Sequence, residues 1–302
     1  LQRAADPGQG SPALVFEARL PRGSYLLHFP PGGKVYETRY PFEVAGATEW
    51  DETCELVPAG AGPPLPPGAE CLAPPDAATF WVYVPAGPYG ASGDPEASQS
   101  PPRDQAIVRL PDAAGTAGYF VARFETTAGM YRPYLEDAAW HGSPEAAFRH
   151  VPRQGPEATD QFALWSRAAD GRYLPRAKVP YWHDDVPVFG ISGQDGTDYA
   201  RWVTARCGGG FWTYELPSED EWERAARGVD GRRFPTGNEF DPSFARMLPS
   251  RESEQPQPQP DEPVGMFPLD ESPFGVRDVA GLMREWTSTV AGARGEYRVL
   301  KG

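Results

Sequence analysis

Lysine is almost missing from this chain: it occurs only at Lys34, Lys178 and Lys301, and asparagine only at Asn238. The other basic residues are arginine, a skew that reads as a GC-rich genome, with thermal removal of labile asparagine as the alternative. Positive charge as a whole is scarce. With 42 acidic against 28 basic residues the net charge is −14, which excludes nucleic acid and anionic membranes as partners, because phosphate binding requires a basic face. No apolar run approaches the roughly 18–20 residues of a membrane-spanning helix. The opening Leu1-Gln-Arg-Ala-Ala-Asp-Pro7 is no signal peptide and carries no Met, so an internal fragment of a cytoplasmic protein is expected.

Catalytic side chains are also few. The histidines, His28, His141, His150 and His183, show no zinc spacing. His183-Asp184-Asp185 reads as a solvated loop face. Ser192 and Ser218 lie in no Gly-x-Ser-x-Gly elbow, so no nucleophile is assigned. Gly208-Gly-Gly210 lacks the Lys-Ser/Thr of a phosphate loop and reads as a helix stop. The cysteines are Cys54, Cys71 and Cys207. Three reduced thiols are the favoured reading, and a Cys54–Cys71 bridge in an oxidising compartment the alternative.

What is present is globular: 40% apolar, with 9 Trp and 15 Phe, enough for two cores in 302 residues. Residues 1–12 read as a linker. Short alternating stretches over 13–57, punctuated by Pro21-Arg-Gly23 and Pro30-Pro-Gly-Gly33, predict a small β-sandwich. Residues 58–79, including Gly62-Pro-Pro-Leu-Pro-Pro-Gly68, read as a semi-rigid spacer. Residues 80–302 form the second domain. Within it, 87–102 and 249–263 read as surface loops.

The richest stretch is Glu215-Leu-Pro-Ser-Glu-Asp-Glu-Trp-Glu-Arg-Ala-Ala-Arg-Gly228. Ser218 with Glu221 three residues on is a capping box, and Gly228 stops the helix. Trp222, Ala225 and Ala226 share one face, with Glu223, Arg224 and Arg227 on the others. This stretch, followed by Phe234-Pro-Thr-Gly-Asn238, resembles the signature of the formylglycine-generating-enzyme (sulfatase-modifying factor) family. Other blocks resemble that family in order: Phe80 to Gly87, Tyr119 to Thr127, Pro187 to Ser192, Pro263 to Pro268, Pro273 to Thr287 and Arg298 to Gly302. The resemblance implies an α+β, C-type-lectin-like domain with few helices and much irregular loop. The turn before residue 29 resembles PEGA-type sandwich modules, which in bacterial kinases can precede such a domain.

Asp278-Val-Ala-Gly-Leu-Met-Arg-Glu285 is the best local site. A tight turn with two carboxylates can wrap a hard cation, since Ca²⁺ takes six to eight oxygens. The resemblance implies calcium at Asp278, Gly281, Met283 and Glu285, although Leu282 and Arg284 depart from the family pattern. A second calcium site of the family would fall on Phe244 to Leu248, where Arg246 stands in place of a ligand; a guanidinium cannot coordinate a cation. The family's copper-binding cysteine pair lies just beyond the segment that Arg298 to Gly302 resembles, and no residue here takes that role.

The expectation is therefore a non-catalytic ligand- or protein-binding, regulatory module of a larger bacterial multidomain protein, with structural calcium. A formylglycine-generating oxidase, its copper held by cysteines beyond Gly302, is the alternative; a retroelement-diversified lectin-fold receptor is a third.

Overall fold

The computed structural model describes residues 80–84, 118–155, 159–177, 182–210, 212–228, 232–237, 241–247, 262–292 and 297–302, together with Leu72, Val179 and the backbones of four strands before residue 45. Those strands are β1 (Gln2–Arg3), β2 (Leu14–Val15), β3 (Gly23–Phe29) and β4 (Thr38–Val44). β1 pairs with β2, and β3 pairs antiparallel with β4 from Gly23↔Val44 to Phe29↔Thr38. The strand expected over 53–57 and the spacer lie outside the described residues, so the sandwich is not described.

β5 (Trp81–Val84) and β6 (Tyr119–Ala122) pair antiparallel and complete the order β3-β4-β5-β6. Chain direction then changes at Thr127. Its hydroxyl accepts from Met130 N and caps α1 (Ala128–Glu136). Two short helices follow, α2 (Ala138–His141), closed by left-handed Gly142, and α3 (Pro144–Phe148), capped by Ser143. The hairpin β7 (Trp165–Arg167) and β8 (Tyr173–Pro175) leads to α4 (Gly193–Cys207). α5 (Glu219–Arg227) carries the expected capping box, with Ser218 and Glu221 each satisfying the other's amide. The hairpin β9 (Glu285–Ala291) and β10 (Tyr297–Lys301) ends the chain. Few helices and small sheets make a mixed α+β fold, as expected.

Two apolar clusters organise these elements. The first is aromatic and joins Phe80, Tyr131, Tyr134, Trp165, Trp182, Tyr199 and Trp202 across α1, α4 and the β7–β8 hairpin. The second is smaller. Val82 and Val84, two residues apart and so on one face of β5, meet Ala225 and Ala226 of α5 and Phe274, Val276 and Val279.

α5 is more deeply set than its pattern predicts. Glu223 and Arg224 are buried along with the alanines. The Arg224 guanidinium lies 5.9 Å from the Phe274 ring centre, while Glu223 pairs with Arg227 and with Lys301 Nζ at 3.2 Å. Opposite charges from β10 allow this helix to bury its polar flank.

Candidate functional site

Asp278 to Glu285 forms the expected turn, and the backbone there is unusual. Asp278 and Leu282, neither of them glycine, both have φ of +62°, a conformation that surrounding contacts must hold. Asp278 N donates to Asp270 O at 3.1 Å, and Leu282 N to Arg246 O at 3.1 Å. Gly281 packs so closely on the Arg246 backbone that a side chain would collide with it. The turn is thus clamped from both sides.

Carboxyls gather around it. Asp278 is 1% exposed, and its Oδ2 accepts from Gly265 N at 2.6 Å. Asp270 is equally buried and accepts from Ala280 N at 3.0 Å. Glu125, from the segment between β6 and α1, accepts from Met283 N at 3.0 Å. Glu285 opens β9 beside it. The side chains of Glu125 and Glu285 are both buried and lie within hydrogen-bond reach of each other. Gly302 packs against Met283 O and Glu285 Oε2: a side-chain carbon added at Gly302 would lie 3.0 Å and 3.2 Å from them.

Burial and mutual repulsion keep these acids protonated far longer than usual. Desolvation pushes Asp270 up to about 7, with the Asp278 charge adding to it. It pushes Asp278 up to about 6, against the Gly265 amide and Arg277. Glu125 is raised well above the carboxylate range by burial, then by Glu285 and Asp278. Glu285 is raised by burial too, despite hydrogen bonds that include the Trp222 side chain. Such a group of raised acids marks a place where a cation would relieve strain.

The donor type is the one calcium takes: hard carboxyl oxygens with a backbone carbonyl nearby. Of the four positions expected from sequence, Asp278 and Glu285 are buried carboxyls near this turn, Met283 donates its amide to Glu125, and Gly281 lets the turn close. Glu125 and Asp270 were missed, because they lie in other blocks of sequence and only folding brings them here. Among the described residues, no three acidic or histidine side chains already surround one point.

At the other site considered, Arg246 forms a buried ion pair with Glu262. A fixed positive charge occupies the place where the family resemblance put a cation. Cys207 corrects the reading of three reduced thiols: it is disulfide-bonded. Trp182 is core, as expected for most aromatics, and half-buried Phe189 stacks on it at 3.8 Å.

The sulfatase-modifying factor enzyme 1-like domain matches residues 73–302. An "Inactive C-alpha-formylglycine-generating enzyme 2" of Mus musculus is 33% identical over 146 residues, covering 46% of this chain and 42% of that protein. A "Formylglycine-generating enzyme" of Thermomonospora curvata is 28% identical over 236 residues, covering 70% of this chain and 72% of its own length. A "Serine/threonine-protein kinase Pkn1" of Chlamydia trachomatis is 32% identical over 134 residues, 38% of this chain and 19% of the kinase. The solved structure of PvdO from Pseudomonas aeruginosa aligns with a TM-score of 0.46 and 22% identity, covering 70% of this chain and 71% of PvdO. The chain spans less than half the length of the murine relative.

Proposed function

We propose, from the premise that the chain belongs to the sulfatase-modifying factor enzyme 1-like domain family over residues 73–302, that it is a non-catalytic binding or regulatory module of a larger bacterial protein. The observation that carries this reading is Cys207. It is the only cysteine within the matched residues, and its sulfur is held in a disulfide. Copper chemistry of the family's kind requires soft thiolates, and a sulfur held in a disulfide is not one. Relatives that are named inactive, or that are part of a kinase, are consistent with the fold serving a role other than oxidation.

On this reading calcium is structural. Asp278 and Glu285 supply carboxylates, Gly281 and Met283 supply carbonyls, and Glu125 and Asp270 add negative charge around them. The ion stabilises the β9 start against the 262–283 segment, so that the surface built on these loops keeps its shape. The ligand or partner protein is recognised there by chemistry not yet identified. The Cys207 bridge fits an oxidising compartment better than the cytosol.

The second reading, an oxidase, is favoured by the extent of similarity to the Thermomonospora curvata enzyme. The two are separated by incubating the chain with Cu(I), oxygen and a sulfatase-type cysteine peptide. Mass spectrometry is expected to show no conversion of thiol to aldehyde above a protein-free control. Aldehyde formation would overturn the non-catalytic reading.

A further inference from the structure

His141 and His150 are distant from every zinc spacing in the sequence, yet the fold places their rings 5.3 Å apart. His141 is the last residue of α2, and His150 follows the end of α3. The connection turns back through Gly142, whose φ of +75° reverses the chain. Both side chains are half-buried. We propose that His141 and His150 together bind one borderline divalent transition-metal ion (zinc, nickel or copper(II)), with His141 Nδ1 and His150 Nε2 as the two protein ligands.

Tautomers carry the argument first. His141 Nε2 lies 2.8 Å from Tyr134 O, and His150 Nδ1 lies 2.9 Å from Asp195 Oδ1. A carbonyl oxygen and a carboxylate can only accept, so these two ring nitrogens carry the protons. In each neutral ring the other nitrogen is then a lone-pair donor. A metal-binding imidazole is normally held by its second nitrogen through just such a carbonyl or carboxylate.

Distance agrees. An ion about 2.0–2.1 Å from a ligating imidazole nitrogen lies about 3.2 Å from the ring centre, and two rings at a tetrahedral angle then sit about 5.2 Å apart. The observed separation is 5.3 Å.

The site is also rigid and suitably charged. Asp195, 3% exposed, accepts from Ser192 N at 2.7 Å and Ser192 Oγ at 2.6 Å, and pairs with Arg153 at 2.8 Å. Tyr131 Oη donates to His150 O at 2.9 Å. The Tyr134 ring abuts both imidazoles, and its buried hydroxyl has no hydrogen-bond partner among the described residues. Asp137 and Asp198 bring negative charge to His141. With two protein ligands, solvent must supply the remaining positions, which makes this a site of modest affinity.

The test uses untagged chain kept in saturating Ca²⁺, so that the carboxylate cluster is occupied. Zn²⁺ titrated by calorimetry should bind one to one, and His141→Ala should weaken that binding by more than about tenfold. His141→Ala removes only a half-buried ring, and circular dichroism checks that it folds. Electron paramagnetic resonance of the Cu²⁺ adduct should show two imidazole nitrogens, falling to one in His141→Ala. Equal Zn²⁺ affinity in wild type and His141→Ala, or a Cu²⁺ spectrum with oxygen ligands alone, overturns the proposal. If His150→Gln folds, it should match His141→Ala; undiminished binding in it would also refute the pair.

Discussion

Glu125 and Glu285, 160 residues apart in sequence, bury their carboxyls against each other and share a side-chain hydrogen bond. Two adjacent buried carboxyls cannot both ionise cheaply. Either a shared proton or a cation must lie between them.

Calcium binding should therefore stabilise the chain. A ligand specific to the folded state adds about 2.7 kcal/mol at a hundredfold excess over Kd. Millimolar Ca²⁺ is expected to raise the melting temperature, and EDTA to lower it by several degrees. Glu285→Gln should remove most of that response. Identical melting of loaded and stripped protein would show that the turn is structural without metal.

The metal-free chain should lose stability as pH rises. Asp270 and Asp278 have folded pKa values of about 7 and about 6 against 3.8 for the ordinary side chain. Groups raised on folding contribute fully below the unfolded value, and that contribution disappears as pH passes the folded one. Denaturant midpoints measured in EDTA should fall between about pH 4 and about pH 7, and added Ca²⁺ should flatten the profile. A metal-free midpoint that rises through this window contradicts the raised values.

Arg246 and Glu262 should be strongly coupled. Each side chain is under 10% exposed, so Arg246→Ala strands a buried carboxylate and should cost about 3–5 kcal/mol. Replacing both with apolar residues of similar volume, Arg246→Met with Glu262→Leu, should recover most of it. A double-mutant cycle in urea measures the coupling, and additive losses would show that the pair is not an energetic unit.

Ser218→Ala should cost about 1 kcal/mol, because it removes the hydroxyl that caps Glu221 N. Asp195→Ala should cost considerably more. Its carboxyl holds the α4 cap, His150 and Arg153 at once. Equal losses in thermal melts of the two variants would show that the buried network adds nothing to the cap.

The Cys207 bridge should be found by mass spectrometry of unreduced peptides, linked to a peptide containing Cys54 or Cys71. Its reduction should cost about 2–4 kcal/mol. A free thiol at Cys207 in protein prepared without reductant would refute it, and would remove the support it lends to the non-catalytic reading.

Local chemistry was legible in the sequence. Ser218 with Glu221 announces a helix start, because both partners of the capping box lie within one turn. Asp278 to Glu285 announces a tight turn, because seven residues can close on themselves. The order of family blocks over 80–302 was likewise readable, since each is a local pattern of strand, cap or turn. What tertiary structure alone decided is which distant groups meet. Glu125 and Asp270 join the turn, Arg246 finds Glu262, and His141 reaches His150 across two short helices. Arg224 shows the same limit: helical periodicity placed it off the apolar face, yet it lies buried over Phe274. Periodicity reports how a segment turns about its own axis, whereas burial depends on every element that packs around it.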